Sequence, residues 1–255
     1  MRHRKSMSTF WEITPAYRDT PIANFLPTLA AAFDTAGQYV TSSPISRVIR
    51  TEIQGKAVYI KTYTRGGKSL RRWFGRSRAR AEWENLFFFE QLDIPTPPLV
   101  AYGQETWGGL FKRAALVTAE LQDSRDLNTL HLEDHPILKD RHWVAAVSHQ
   151  IARHTRRLHQ KRFGHLDLKW RNILVSLQDT PRVSFFDCPA GQIRRGPNAT
   201  RWFIKDIACL DKVAKMRLSR TQRLKFFMNY ERIQRLGERD KHKIRKILRF
   251  FHGRE

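Results

Sequence analysis

Asp167, Lys169 and Asn172 stand in one short stretch, residues 164–175, which reads G-H-L-D-L-K-W-R-N-I-L-V. A carboxylate such as Asp167 can accept or orient the proton of an attacking hydroxyl. A lysine two residues later can place positive charge beside a transferring phosphoryl group. The amide oxygen of Asn172 suits a magnesium ion, which favours hard oxygen ligands. Base, cation and metal ligand are the groups phosphoryl transfer needs. A surface loop carrying His, Asp and Asn is the bland alternative. Four matched positions running into an apolar strand weigh against it.

The spacing H-x-D-L-K-x-x-N resembles the catalytic loop of the protein-kinase-like superfamily. That resemblance implies Asp167 as the base, Lys169 as its cationic neighbour and Asn172 as a magnesium ligand. Phe186-Asp187-Cys188-Pro189 follows where the superfamily carries D-F-G, so Asp187 is implied as the second magnesium ligand, bridging ATP phosphates. Cys188-Pro189 replaces Phe-Gly, and Pro189 disfavours the backbone flip by which many kinases switch off. Val58-Tyr59-Ile60-Lys61 is close to V-A-I-K and implies Lys61 as the group on the ATP α- and β-phosphates. Its carboxylate partner is expected from the next helix, where Glu82, Glu84 and Glu90 compete. No G-x-G-x-x-G precedes Lys61. The equivalent turn, residues 41–44, offers Ser42 and Ser43 as phosphate contacts through hydroxyls and backbone amides, or is an ordinary Ser-rich turn. Glu120, at the expected lobe boundary, is a further nucleotide-contact candidate.

The elements that must position these groups follow from the patterning. Residues 38–40, 45–53 and 56–63 read as strands, with a Gln54-Gly55 turn between the last two. Residues 64–76 form a basic loop. Residues 77–92 have helical character and end before Pro95 and Pro97. Two more strands are expected at 99–102 and 114–118. In residues 143–158, Val144, Val147, Ile151 and Leu158 fall near a 3.6-residue period. A hairpin follows, 173–177 with 183–186, and the chain from about Trp202 is helical and basic. The fold class is therefore α+β: a two-lobe, protein-kinase-like fold with a small antiparallel-sheet N-lobe and a compact helical C-lobe. The expected division is residues 1–37 as an N-terminal extension, 38–120 as the ATP-binding lobe and 121–255 as the catalytic lobe.

Composition fits a globular rather than a disordered chain. The 255 residues are 41% hydrophobic and 28% charged, and 47 Lys and Arg against 24 Asp and Glu leave a net charge of +23. Such a surplus attracts polyanions, whether nucleic acid, an anionic membrane, an acidic protein or a phosphorylated substrate. Two cysteines, Cys188 and Cys209, exclude a disulfide framework and fit a reducing compartment. No apolar run approaches the ~20 residues of a membrane span, so a cytoplasmic protein is expected. The C-terminal Ile244, Ile247, Leu248 and Phe251 mark an amphipathic basic helix. Either it closes the second lobe, which is favoured, or it lies on an anionic membrane.

Leu166 before Asp167, the lack of A-P-E after Asp187 and the short remaining chain argue against a regulated protein kinase. Residues 77–83 (S-R-A-R-A-E-W), Ile94-Pro95-Thr96-Pro97, Ala101-Tyr102-Gly103, the catalytic loop and Asp187-Cys188-Pro189 together resemble the bacterial lipopolysaccharide kinase family. That family includes heptose and Kdo kinases of the inner core. The resemblance covers roughly residues 45–215. It implies ATP and Mg²⁺ as cofactors, and phosphorylation of a sugar hydroxyl on an anionic glycolipid at the inner face of the inner membrane. By the family pattern Glu82 partners Lys61, Asp206 braces the catalytic-loop backbone, and His165 is also structural. Arg72 and Arg76, or Arg194 and Arg195, become candidates for holding the acceptor's anionic groups. An acidic partner such as an acyl carrier protein, or an anionic membrane surface, would suit the charge; nucleic acid is not expected. The alternatives are a kinase of the same fold acting on another small molecule or a protein, and a non-catalytic basic module that binds nucleic acid or membrane.

Overall fold

The computed structural model describes residues 6–67, 75–196 and 199–253. The chain divides into two compact units, residues 1–87 with 97–121, and residues 88–96 with 122–255.

Unit 1 contains β1 (Met7–Ile13), α1 (Pro21–Phe25), α2 (Leu29–Asp34), β2 (Gln38–Ser43), β3 (Ser46–Ile53), β4 (Lys56–Tyr63), most of α3 (Arg78–Glu90), β5 (Leu99–Trp107) and β6 (Leu110–Ala119). Among the described residues its strands form one antiparallel six-stranded sheet, ordered β1-β5-β6-β4-β3-β2. In β4, Val58 and Ile60 are fully buried, and Ile49 and Ile53 of β3 join them with Ile22, Leu26 and Leu29 of the first helices and their flank. On the other face, Ala79, Trp83 and Leu86 of α3 pack with Tyr63, Tyr102 and Leu116.

Residues 1–37 were expected as an appended segment. In the structure Met7–Ile13 pairs with β5 from Met7↔Trp107 to Ile13↔Ala101, and α1 and α2 contribute buried side chains to the sheet core. Gly103 makes the pairing possible: a Cβ there would collide with the Phe10 carbonyl oxygen. Strands β5 and β6 also run past the expected 99–102 and 114–118. Their outer halves mix Gln104, Glu105, Lys112 and Arg113 with Trp107, Leu110 and Phe111 and show no period-2 alternation. They are joined through buried Glu105, which accepts from Lys112 Nζ and Arg113 Nε at 2.6 Å each.

Unit 2 contains β7 (Ser124–Asp126), α4 (Leu127–Leu132), α5 (Arg141–Gln160), β8 (Phe163–Gly164), β9 (Ile173–Ser176), β10 (Val183–Phe185), β11 (Gln192–Ile193), α6 (Ala199–Arg217), α7 (Arg220–Glu231) and α8 (Glu238–Leu248). Helix α5 starts at Asp140, whose carboxylate accepts from the His142 and Trp143 amides at 2.8 and 3.2 Å, an ordinary N-cap. Its periodic apolar face buries Val144, Val147, Ile151 and Leu158 against Ile173, Val175, Val183 and Phe185 of the hairpin. Residues 88–96 are tied in by Arg157, which donates to the carbonyls of Leu92 and Asp93 at 3.1 and 2.7 Å. Most of the expected C-terminal apolar stripe packs inward: Ile247 is buried, and Ile244 and Phe251 pack on the cluster of Ile204, Ile207 and Phe227, while Leu248 stays exposed. Among the described residues no helix is long and apolar enough to cross a membrane.

Candidate active site

In unit 2 the loop between β8 and β9 is built around Asp206 of α6. This fully buried carboxylate accepts hydrogen bonds from the backbone N–H of His165 at 2.8 Å and of Leu166 at 2.7 Å. It also meets His159 Nε2 at 3.2 Å, and His159 Nδ1 lies 2.7 Å from the Tyr230 hydroxyl. A buried carboxylate must have such partners. Here they hold Leu166 in the left-handed region, at φ 67°, a strain that tertiary contacts must support. Trp170 adds a second tie, its indole N–H donating to the Leu210 carbonyl at 3.0 Å.

The chain then turns so that Asp167, Lys169 and Asn172 converge. Lys169 Nζ sits 2.5 Å from Asp167 Oδ1, and Arg171 lies 3.4 Å from Oδ2. Asn172 Nδ2 donates to the Asp167 carbonyl at 2.8 Å and lies 3.4 Å from its carboxylate. Burial pushes the Asp167 carboxyl up. The hydrogen bond and charge of Lys169, joined by Arg171, more than offset it, so the group sits below the usual aspartate range. Asp167 is therefore an ionised acceptor at neutral pH.

The amide of Phe186 donates to the Asn172 carbonyl at 3.2 Å, which places Asp187 directly beside the catalytic loop. Asp187 has φ 51°. Buried Cys188 anchors the next turn, its thiol 3.7 Å from the His165 carbonyl. Gly191 is required behind it, since a Cβ there would collide with Cys188 Sγ and the Phe163 ring. His165 is fully enclosed between Phe89 and Phe185, with ring centroids at 5.9 and 6.3 Å. Burial lowers its pKa, so the ring is neutral packing.

With Nδ2 of Asn172 donating inward, its Oδ1 is the atom able to ligate a cation, and Asp187 supplies a carboxylate. These hard oxygen donors fit Mg²⁺. Among the described residues no three His, Cys, Asp or Glu side chains gather to hold a metal by themselves. Magnesium in phosphoryl-transfer enzymes needs no such cage, because it keeps waters and shares substrate phosphates.

In unit 1, Lys61 of β4 reaches both Glu82 oxygens of α3, at 3.0 and 2.9 Å. Glu82 is buried, and it also accepts a short hydrogen bond from the Tyr63 hydroxyl. Tyr63, two residues along the same strand and on the same face as Lys61, is the member of this trio that motif spacing did not single out. Glu84, the competing carboxylate, pairs instead with Arg76 and Arg80 at 2.6 and 2.7 Å.

Other contacts engage most of the remaining candidates. Ser42 bonds the Tyr39 hydroxyl at 3.0 Å, and Ser43 bonds Ser46 and the amides of Ile45 and Ser46, all at an exposed turn. The Glu120 carboxylate is taken up by Arg50, two contacts at 2.7 Å, and by the Tyr59 hydroxyl at 2.8 Å. Arg50 foremost holds it below the usual range. Arg76 is spent on α3, donating to Glu84, to Asn85 and to the Ala81 carbonyl; Arg72 lies outside the described residues. Arg194 lies over the Trp202 ring, 4.5 Å from its centroid, and Arg195 is exposed beside it.

The solved structure of WaaP in complex with acyl carrier protein resembles the chain with a TM-score of 0.66 and 23% identity, over 96% of this chain and 94% of that one. This likeness gives a protein-kinase-like fold. No curated protein matches by sequence. The model of the lipopolysaccharide kinase (Kdo/WaaP) family matches residues 30–230. The chain belongs to the lipopolysaccharide kinase (Kdo/WaaP) family and is a phosphotransferase acting on a sugar hydroxyl.

Proposed function

We propose that this enzyme transfers the γ-phosphoryl group of ATP to a heptose or Kdo hydroxyl of the lipopolysaccharide inner core. The observation that carries this reading is the ionised Asp167 carboxylate, held by Lys169 at 2.5 Å with Asn172 braced against the same residue. Asp167 orients the acceptor hydroxyl and draws on its proton as the new O–P bond forms and the bond from the γ-phosphorus to the bridging oxygen of ATP breaks, releasing ADP. Lys169 stabilises charge on the transferring group. Asn172 and Asp187 would hold Mg²⁺, and the ion would supply neutralisation of phosphate charge. In unit 1, the Lys61 ammonium, fixed by Glu82, binds the α- and β-phosphates. Ser42 and Ser43, at the β2–β3 turn, are candidates to cover the phosphates, while the engagement of Glu120 leaves its backbone as the more available nucleotide contact.

The acceptor places the enzyme at the cytoplasmic face of the inner membrane, a location that its net charge of +23 favours. The related WaaP is in complex with acyl carrier protein. That complex and the same charge support an acidic carrier protein as partner. Labelled ATP offered with purified truncated-core lipopolysaccharides, one ending in Kdo and one in heptose, tests the reading. Transfer to one core names the sugar. Transfer to neither, with phosphate going to a protein or an aminoglycoside instead, overturns it.

A further inference from the structure

Four cations, Arg194, Arg195, Arg201 and Lys205, line a concavity of about 740 Å³ in unit 2 together with Trp202, Phe250 and Phe251. Several arginines elsewhere in the chain are matched: Arg80 to Glu84, Arg125 to Glu133, Arg217 to Asp134 and Arg223 to Asp211. Among the described residues no carboxylate pairs with any of these four, and none lines the concavity. Unneutralised like charges held together repel one another, so a bound anion would relieve this site. Arg194 Nε is enclosed and has no hydrogen-bond partner. The first residues of the 19-residue helix α6 form one wall, so the positive end of its dipole adds to the field.

The aromatic part tells what carries the anion. Trp202 is flanked by Arg194 at 4.5 Å and Lys205 at 5.7 Å from its ring. Phe250 and Phe251 pack edge to face at 5.0 Å. Flat apolar rings beside guanidinium groups suit a pyranose, whose C–H face packs on aromatics while its charged substituent meets arginine. A concavity of this size takes a sugar or two, whereas a convex acidic protein would meet a broad flat patch. The position is also connected to the chemistry. Lys205 lines the concavity, and its neighbour Asp206 holds the His165 and Leu166 amides just before Asp167.

Resting on the reading of the enzyme as a lipopolysaccharide-core kinase, we propose that this basic, aromatic-walled concavity is the subsite for an anionic sugar of the acceptor, gripping its phosphate or carboxylate. It replaces Arg76 as the acceptor clamp, since Arg76 is committed to α3.

The test is calorimetry on the full chain without nucleotide. The probe is the deacylated core oligosaccharide of a truncated lipopolysaccharide, used intact, dephosphorylated, and with its carboxyls reduced to alcohols. The double variant Arg195→Gln/Arg201→Gln should bind the intact probe at least about tenfold more weakly, as expected for lost charge-assisted contacts, and should keep wild-type Mg-ATP affinity. Trp202→Leu should weaken the probe likewise. Weaker binding of one modified probe supports the subsite and names the anion. Equal binding of all three forms, an unaltered double variant, or an equal loss in the remote control Arg239→Gln would overturn it. So would a double variant that loses only acyl carrier protein. A wild-type enzyme that binds the probe here but phosphorylates no core would instead sink the kinase reading and leave the subsite standing.

Discussion

Lys61 spans both carboxylate oxygens of Glu82, at 3.0 and 2.9 Å, and the pair is nearly enclosed, with side chains 15% and 5% exposed. Enclosure raises the cost of leaving either charge alone. The Tyr63 hydroxyl donates to the same carboxylate. Replacing Glu82 with Gln should raise the KM for ATP roughly tenfold or more and change the acceptor KM much less. Tyr63→Phe should cost roughly 1.5–3 kcal/mol in stability, as for a buried hydrogen bond to a charge, read as a lower denaturant midpoint at unchanged slope. If Glu82→Gln moves both KM values equally, the pair does not serve the nucleotide.

Removing the Asp167 carboxylate separates chemistry from binding. Asp167→Asn should keep Mg-ATP affinity and lower kcat by ~10² to 10⁴. Asp187→Asn and Asn172→Ala should instead raise the magnesium concentration needed for half-maximal rate. Of these two, Asn172→Ala should also lower thermal stability, because Nδ2 braces the Asp167 carbonyl at 2.8 Å. An Asp167→Asn enzyme with wild-type turnover would move the base elsewhere.

Asp206 acts by position rather than by contact with substrate. In Asp206→Asn one amide of the His165–Leu166 pair loses its acceptor, at a cost of roughly 1.5–3 kcal/mol. The two amides should exchange hydrogen faster, and kcat should fall while the KM for ATP holds. Unchanged exchange at both would deny Asp206 its bracing role.

Stability should fall in mild acid because of His154. The ring is fully buried on α5 against Phe185, neither ring nitrogen has a partner, and desolvation lowers its pKa from 6.5 to about 3. The unfolded chain takes up the proton first. The stability of the neutral-ring form is thus full above pH 6.5 and is lost as pH falls from there toward about 3. The slope approaches about 1.4 kcal/mol per pH unit, and the loss between pH 7 and 5 is about 2 kcal/mol. His154→Leu should flatten the unfolding midpoint over that range. An unaltered slope would assign the acid sensitivity to other groups.

The chemistry of this chain is legible along the sequence wherever it depends on neighbours in the chain. Asp167, Lys169 and Asn172 lie within six residues, and a short loop must bring them together. The patterns behind β4 and α5 are likewise local, because burial of one face imposes the period on each element separately. Glu82 could be chosen over Glu84 only through family likeness, since both lie on the same helix α3, two residues apart. What separates them is which side meets β4 and which meets Arg76 and Arg80. The placement of Met7–Ile13 beside β5, some 90 residues away, leaves no trace in its own alternation, because the strand is an edge with exposed residues. The same holds for Tyr63 on Glu82, for the His159–Tyr230 support of Asp206, and for Arg194 over Trp202. Only packing decides these contacts, because partners distant in sequence are selected by shape, charge and the exclusion of water.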